Sequence, residues 1–204
     1  MNYSLTLLIV LWLLFGISHS LLADLRVKNA LYRTFSFTPT SFRVFYNLFA
    51  FVFLTALLYL QIVIPGTLLF ERTVLTESLA FLVGSVGAII MVLCVFKYFK
   101  QLSGIFRESV TPKLETGGLH QLVRHPLYLG TILFIAGLLL YFPYLKNAIA
   151  AVIITAYTII GTFFEERKLL KTFGKAYGKY QEEVPMIFPW PGKRNKKSAS
   201  VENS

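Results

Sequence analysis

Residues 127–142 read LYLGTILFIAGLLLYF and residues 144–164 read YLKNAIAAVIITAYTIIGTFF, with only Pro143 between them. Neither run holds a charge apart from Lys146, which sits near one end where its stem can snorkel. A helix rises about 1.5 Å per residue, so the first run measures about 24 Å and the second about 31 Å. The hydrocarbon core of a bilayer is roughly 30 Å thick. A proline does not fit a helix interior, so the pair predicts a tight helical hairpin in a membrane. Outward from it, Tyr3–Leu22, Val44–Ile64 and Ser78–Phe96 are further uncharged apolar runs. The expected fold is therefore all-α: a bundle of five transmembrane helices spanning 3–22, 44–64, 78–96, 127–142 and 144–164.

Whole-chain composition agrees. Of 204 residues, 55% are hydrophobic and only 15% charged, too little charge to solvate a water-soluble globule of this size. The first run lacks a basic leader and a small-residue cleavage site, so it reads as a span, not a signal peptide. The net charge of +10 is segregated. Counted between the runs, 18 of the 20 Lys and Arg fall on one side and 2 on the other. By the positive-inside rule the N-terminus is outside and the C-terminus cytoplasmic, as expected of an integral protein of a bacterial inner membrane. The basic charge thus meets lipid, and nucleic acid is not an expected partner. No protein partner is predicted either. Cys94, the only cysteine, forms no intramolecular disulfide and no thiolate cluster, and reads as a small buried hydrophobe. No metal site is expected. Gly84, Gly87 and Ala88 form a small face suited to close helix packing. Residues 1–192 read as one domain, and 193–204 as a basic disordered tail able to touch anionic lipid.

Polar residues that are neither loops nor snorkels concentrate in a cofactor-type region, 112–190. Its first segment is ETGGLHQLVRHPLYLG, residues 115–130. Pro126 suits the first position of a helix, so Arg124 and His125 sit beside the free N–H groups of a helix start, where an anion is favoured. Gly117 and Gly118 permit close backbone approach, and Tyr128 offers an aromatic face. The same residues also read as positive-inside markers and an interfacial aromatic belt. The second segment is EERKLLKTFGKAYGKYQEEVP, residues 165–185. Two adjacent carboxylates, Glu165 and Glu166, lie where a helix C-terminus disfavours negative charge, so a cation belongs beside them: Arg124, Lys168 or a ligand. Phe173, Tyr177 and Tyr180 have helical spacing and predict an aromatic stripe on a C-terminal amphipathic cytoplasmic helix. Anion-binding groups on one wall and carboxylates on the other suit a zwitterionic, cationic cofactor such as S-adenosylmethionine.

The set Gly118, Arg124-His125-Pro126, Tyr128, Gly130, then Glu165-Glu166, Phe173-Gly174, Tyr177, Tyr180, Val184-Pro185 and Pro189 resembles the isoprenylcysteine carboxyl methyltransferase and phospholipid methyltransferase superfamily of membrane enzymes. The resemblance covers about the C-terminal 90 residues. It implies S-adenosylmethionine bound by Gly117, Gly118, His120, Arg124, His125, Tyr128, Gly130, Glu165, Glu166 and Tyr177. Arg124 and Glu165 are the expected catalytic pair, Arg124 orienting the cofactor carboxylate or substrate and Glu165 meeting the ammonium or ribose. The N-terminal half resembles the NnrU-type branch, which includes methanethiol methyltransferases, through Gly16, His19-Ser20, Lys28, Arg43 and Tyr46-Asn47. His19, Tyr46 and Asn47 are candidates for the substrate, or for plain helix packing. Where isoprenylcysteine enzymes carry a substrate-handling arginine, one turn before the first Glu, this chain has Gly161, and His120 replaces a common aromatic.

The expected reaction is methyl transfer to a small thiol or an apolar, lipid-like acceptor reached from the bilayer. Two other readings stand beside it. Membrane sterol reductases using a nicotinamide cofactor share part of this pattern, but their Arg-His-Pro is followed by Asn-Tyr and a Gly-Glu pair, where this chain has Leu127 and, after Gly130, Thr131. A non-enzymatic subunit binding haem or a partner through His19, His120 or His125 is the third.

Overall fold

The computed structural model describes residues 3–103 and 114–190. The tail expected at 193–204 and residues 112–113 lie outside the described residues. Seven helices are described: α1 (Tyr3–Ala23), α2 (Leu25–Phe35), α3 (Pro39–Val63), α4 (Val74–Ser103), α5 (Pro126–Tyr141), α6 (Leu145–Phe173) and α7 (Lys175–Glu183), with a 3-10 turn at Gly118–Gln121. The helices α1, α3 and α6, and Val74–Lys97 of α4, are long and apolar enough to cross a membrane, and α5 is shorter at 16 residues. Among the described residues the architecture is an all-α membrane bundle. Its apolar side chains face outward, as lipid solvation requires; Phe81, Ile62 and Phe96 are each more than three-quarters exposed.

The boundaries differ from the apolar runs for local reasons. Helix α2 was not expected, because a short amphipathic helix inside a polar connection carries no long apolar run. It starts where the Asp24 carboxylate accepts from the Arg26 (2.8 Å) and Val27 (3.4 Å) N–H groups. Helix α3 begins at Pro39, five residues before the run, because Thr38 and Ser41 cap it reciprocally. Helix α6 continues past residue 164 to Phe173, and Gly174, at φ +53°, ends it. This corrects the single aromatic stripe: Phe173 closes α6, whereas Tyr177 and Tyr180 lie on α7, and the three meet across the break.

The α5–α6 hairpin forms as expected. Its turn pairs with the α3–α4 connection through Leu69 N–H to the Pro143 carbonyl (2.7 Å) and Leu145 N–H to the Thr67 carbonyl (2.8 Å). Lys146 does not snorkel outward. It is buried, and its ammonium donates to the carbonyls of Ile64 and Ile62 at the end of α3.

Helices α4 and α5 pack backbone against backbone. A Cβ on Gly87 would stand 2.4 Å from the Phe134 nitrogen, and one on Gly137 would stand 2.5 Å from the Gly84 Cα. The small face of α4 is thus a helix–helix seam. Gly130 belongs to the same seam, because its Cβ would meet the Gly87 carbonyl and the side chains of Ile90 and Met91, each at 3.0 Å. What its missing side chain serves here is the packing of α5 on α4.

Candidate active site

The chain direction brings the C-terminal ends of α1, α4 and α6 and the N-terminal ends of α3 and α5 to one end of the bundle. Among the described residues most Lys and Arg lie toward that end, and Pro126 starts α5 there with its fixed φ. Just before it, the Arg124 N–H donates to the Pro185 carbonyl (2.8 Å) and the His125 N–H to the Met186 carbonyl (3.0 Å), which ties the segment after α7 to the start of α5.

Glu166 is the hub of that tie. Its carboxylate accepts from Arg124 Nε and Nη2, both at 2.9 Å, from the Tyr177 hydroxyl at 2.6 Å and from Gln181 Nε2. His125 Nε2 lies 2.7 Å from the same carboxylate. Arg124 Nη1 donates in addition to the carbonyls of Gln181 and Val184. The Arg124 and Glu166 side chains are only 8% and 9% exposed, so this is a buried, bidentate ion pair. The cation sought beside the two glutamates is therefore Arg124. Burial, and then the bond to Glu166, push the Tyr177 hydroxyl pKa well above its ordinary value and keep it a donor.

Glu165, one residue earlier, faces differently. Its side chain is 43% exposed, and it accepts a hydrogen bond from the Tyr128 hydroxyl at 2.8 Å. The His125 ring stacks on Tyr128 with centroids 5.6 Å apart, and His125 Nδ1 is 3.6 Å from Glu165. His125 thus lies between the two carboxylates. The neighbouring loop is built from Gly117, Gly118 and His120. Gly118 takes φ +63°, which its lack of a Cβ permits, and only Lys97 Nζ comes within 4 Å of where a Cβ would stand. Glu115 holds this loop by accepting from Lys97 (3.0 Å) and the Gly117 N–H (3.1 Å), and the Lys97 bond lowers the Glu115 pKa. His120 Nδ1 donates to the Arg124 carbonyl at 2.9 Å, its own carbonyl accepts from Tyr180 at 2.6 Å, and burial lowers its pKa.

The N-terminal candidates split. His19 and Tyr46 meet, with Nε2 2.7 Å from the phenol oxygen, whereas Asn47 is exposed on the outer side of α3. Two participants had escaped sequence reading. Gln181 lies one turn after Tyr177 and completes the Glu166 hub. Tyr157 lies two turns before Glu165 on the same face of α6, and its hydroxyl is 2.9 Å from Ser20 Oγ. The i, i+4, i+8 spacing of Tyr157, Gly161 and Glu165 was the available signal.

Residues 78–176 match the family described as phospholipid methyltransferase. That stretch is thus similar to the phospholipid methyltransferases. Methanethiol S-methyltransferase 1 of Bradyrhizobium diazoefficiens is 35% identical over 91 residues, 41% of this chain and 29% of its own length. Methanethiol S-methyltransferase of a Pseudomonas species is 34% identical over 105 residues, 47% of this chain and 36% of its own length. Methanethiol S-methyltransferase of Mycobacterium tuberculosis is 40% identical over 74 residues, 36% of this chain and 29% of its own length. The chain thus spans about a third of the length of these relatives. The resemblance to membrane methyltransferases, including the methanethiol-methyltransferase-like branch, holds. No solved structure matches.

Proposed function

We propose that the chain transfers a methyl group from S-adenosylmethionine to a small thiol or another small apolar acceptor dissolved in the bilayer. The observation that carries this reading is the division of labour between adjacent carboxylates. Glu166 is consumed by Arg124, His125, Tyr177 and Gln181, whereas among the described residues Glu165 has only the Tyr128 hydroxyl and the edge of His125, and stays half-exposed. Arg124 is accordingly a positioning residue, and Glu165 is the group left to meet a cation.

The donor set fits that cofactor. A half-exposed carboxylate with a neighbouring phenol suits an ammonium or ribose, the Gly118 backbone suits close approach, and the start of α5 favours a carboxylate. When bound, S-adenosylmethionine supplies an electrophilic methyl on a sulfonium. The protein's part is alignment and exclusion of water. Tyr128 holds Glu165 in place, the Glu166 hub fixes α7 against α5, and His125 is fixed from both sides. The names of the relatives support a thiol acceptor, and the open space around Gly161, where a Cβ would meet nothing within 4 Å, leaves room beside Glu165. The excess of Lys and Arg toward this end supports a cytoplasmic orientation for the site.

The test is binding of labelled S-adenosylmethionine to purified protein in detergent, saturable in the wild type and weakened at least tenfold in Glu165→Gln and Tyr128→Phe. Because Glu165 is half-exposed, both variants keep a near-native unfolding temperature. Unchanged affinity in both sinks the assignment.

A further inference from the structure

His19 has one ring nitrogen against the Tyr46 phenol, at 2.7 Å, and its other, Nδ1, is buried with no hydrogen-bond partner among the described residues. An orphaned buried nitrogen is costly, and a sequence that keeps one has a use for it. The surroundings say what kind. The Phe15 ring lies 5.6 Å from the imidazole and the Tyr46 ring 4.9 Å, so the imidazole is flanked by aromatic rings, a setting that suits an ordered water poorly. A small apolar body with one weak acidic hydrogen fits better, and a thiol is such a group.

The position also fits. Tyr157 lies across from this pair, bonded to Ser20, and its ring covers Gly16 at 3.2 Å from where a Cβ would stand. On α6 Tyr157 stands two turns before Glu165, on the same face. Tyr128 in turn bonds Glu165. The His19–Tyr46 and Ser20–Tyr157 bonds thus join α1 to α3 and to α6, and α6 carries the carboxylate assigned to the methyl donor two turns beyond Tyr157. Asn47, on the outer side of α3, takes no part.

Resting on the methyl-transfer reading, we propose that His19, set by Tyr46, is the acceptor site and the base for a small alkyl thiol. The thiol S–H points at Nδ1 while Nε2–H is held by the Tyr46 oxygen. The S–H bond breaks, its electron pair stays on sulfur, and the proton bonds to Nδ1, giving an imidazolium and a thiolate. A free thiol with a pKa of about 8.5 or above is mostly protonated at neutral pH, so a base at this point supplies the nucleophile. Tyr157 closes the side toward Tyr128 and limits the acceptor to a short alkyl chain.

The chain has three histidines, which makes the test direct. Protein labelled with nitrogen-15 histidine, in lipid nanodiscs and without methyl donor, is titrated with ethanethiol and followed by NMR. The expected result is a saturable shift of one imidazole, the one absent in His19→Gln, with the other two unmoved. In parallel, His19→Gln binds labelled S-adenosylmethionine within twofold of the wild type but loses methylation of ethanethiol by 10²-fold or more. A His19 signal that ignores ethanethiol while the wild type still binds the donor overturns the acceptor site and leaves the methyl-transfer reading standing. Absence of saturable donor binding in the wild type is a different result, and removes both.

Discussion

Replacing Glu166 with Ala removes the acceptor for Arg124, His125, Tyr177 and Gln181 at once. Breaking a buried ion pair from one side leaves an uncompensated charge and costs about 3–5 kcal/mol. Arg124 keeps the carbonyls of Gln181 and Val184, so the lower end, about 3 kcal/mol, is expected. For a chain of this length each kcal/mol moves the midpoint by about 2–4 °C, which gives a drop of about 6–12 °C. Thermal unfolding in detergent, followed by tryptophan fluorescence, measures it. The pair Arg124→Leu with Glu166→Leu should lose less than the two single losses added, because no charge is then left buried. A Glu166→Ala midpoint within about 2 °C of wild type, or strict additivity in the double variant, would refute the hub.

Glycine substitutions separate packing from open space. Gly87→Ala drives a Cβ into the backbone of α5 and should cost about 1–3 kcal/mol, whereas Gly161→Ala meets nothing within 4 Å and should gain about 0.5–1 kcal/mol from helix propensity; unfolding midpoints of opposite sign check both. Tyr177 gives a pH signature. Its raised pKa means its contribution to stability is complete below the ordinary tyrosine value of 10.0 and is lost as pH rises toward the higher folded value. The wild type should lose midpoint above pH 10 more steeply than Tyr177→Phe, and parallel curves would show that the hydroxyl does not titrate with unfolding.

The spans were legible because a bilayer demands long apolar runs, a constraint that composition alone expresses. Helix α2 was not, since its eleven residues are amphipathic and its start depends on one side-chain cap, Asp24. Arg124, His125, Tyr128, Glu165, Glu166 and Tyr177 were picked out by residue type, but the allocation among them was not. Which glutamate takes Arg124 depends on the phase of α6 and on where Gly174 turns the chain, so that α7 folds back on the end of α6 and meets the Arg124–His125 segment. Gly130 shows the converse: a glycine in a ligand-rich segment whose missing side chain serves the neighbouring helix.

Helix α5 has only 16 residues, about 24 Å of rise against roughly 30 Å of hydrocarbon. By length it falls about 6 Å short of that thickness, a mismatch that a locally thinner bilayer would meet. In such a bilayer the first residues of α5, with Tyr128 and its glutamate, would sit in a dimple open to water from above and to acyl chains from the side. For the proposed reaction this removes a transport problem. The charged donor never enters oil, a volatile acceptor never needs an aqueous path, and a methylated product too apolar to be held diffuses off along the leaflet.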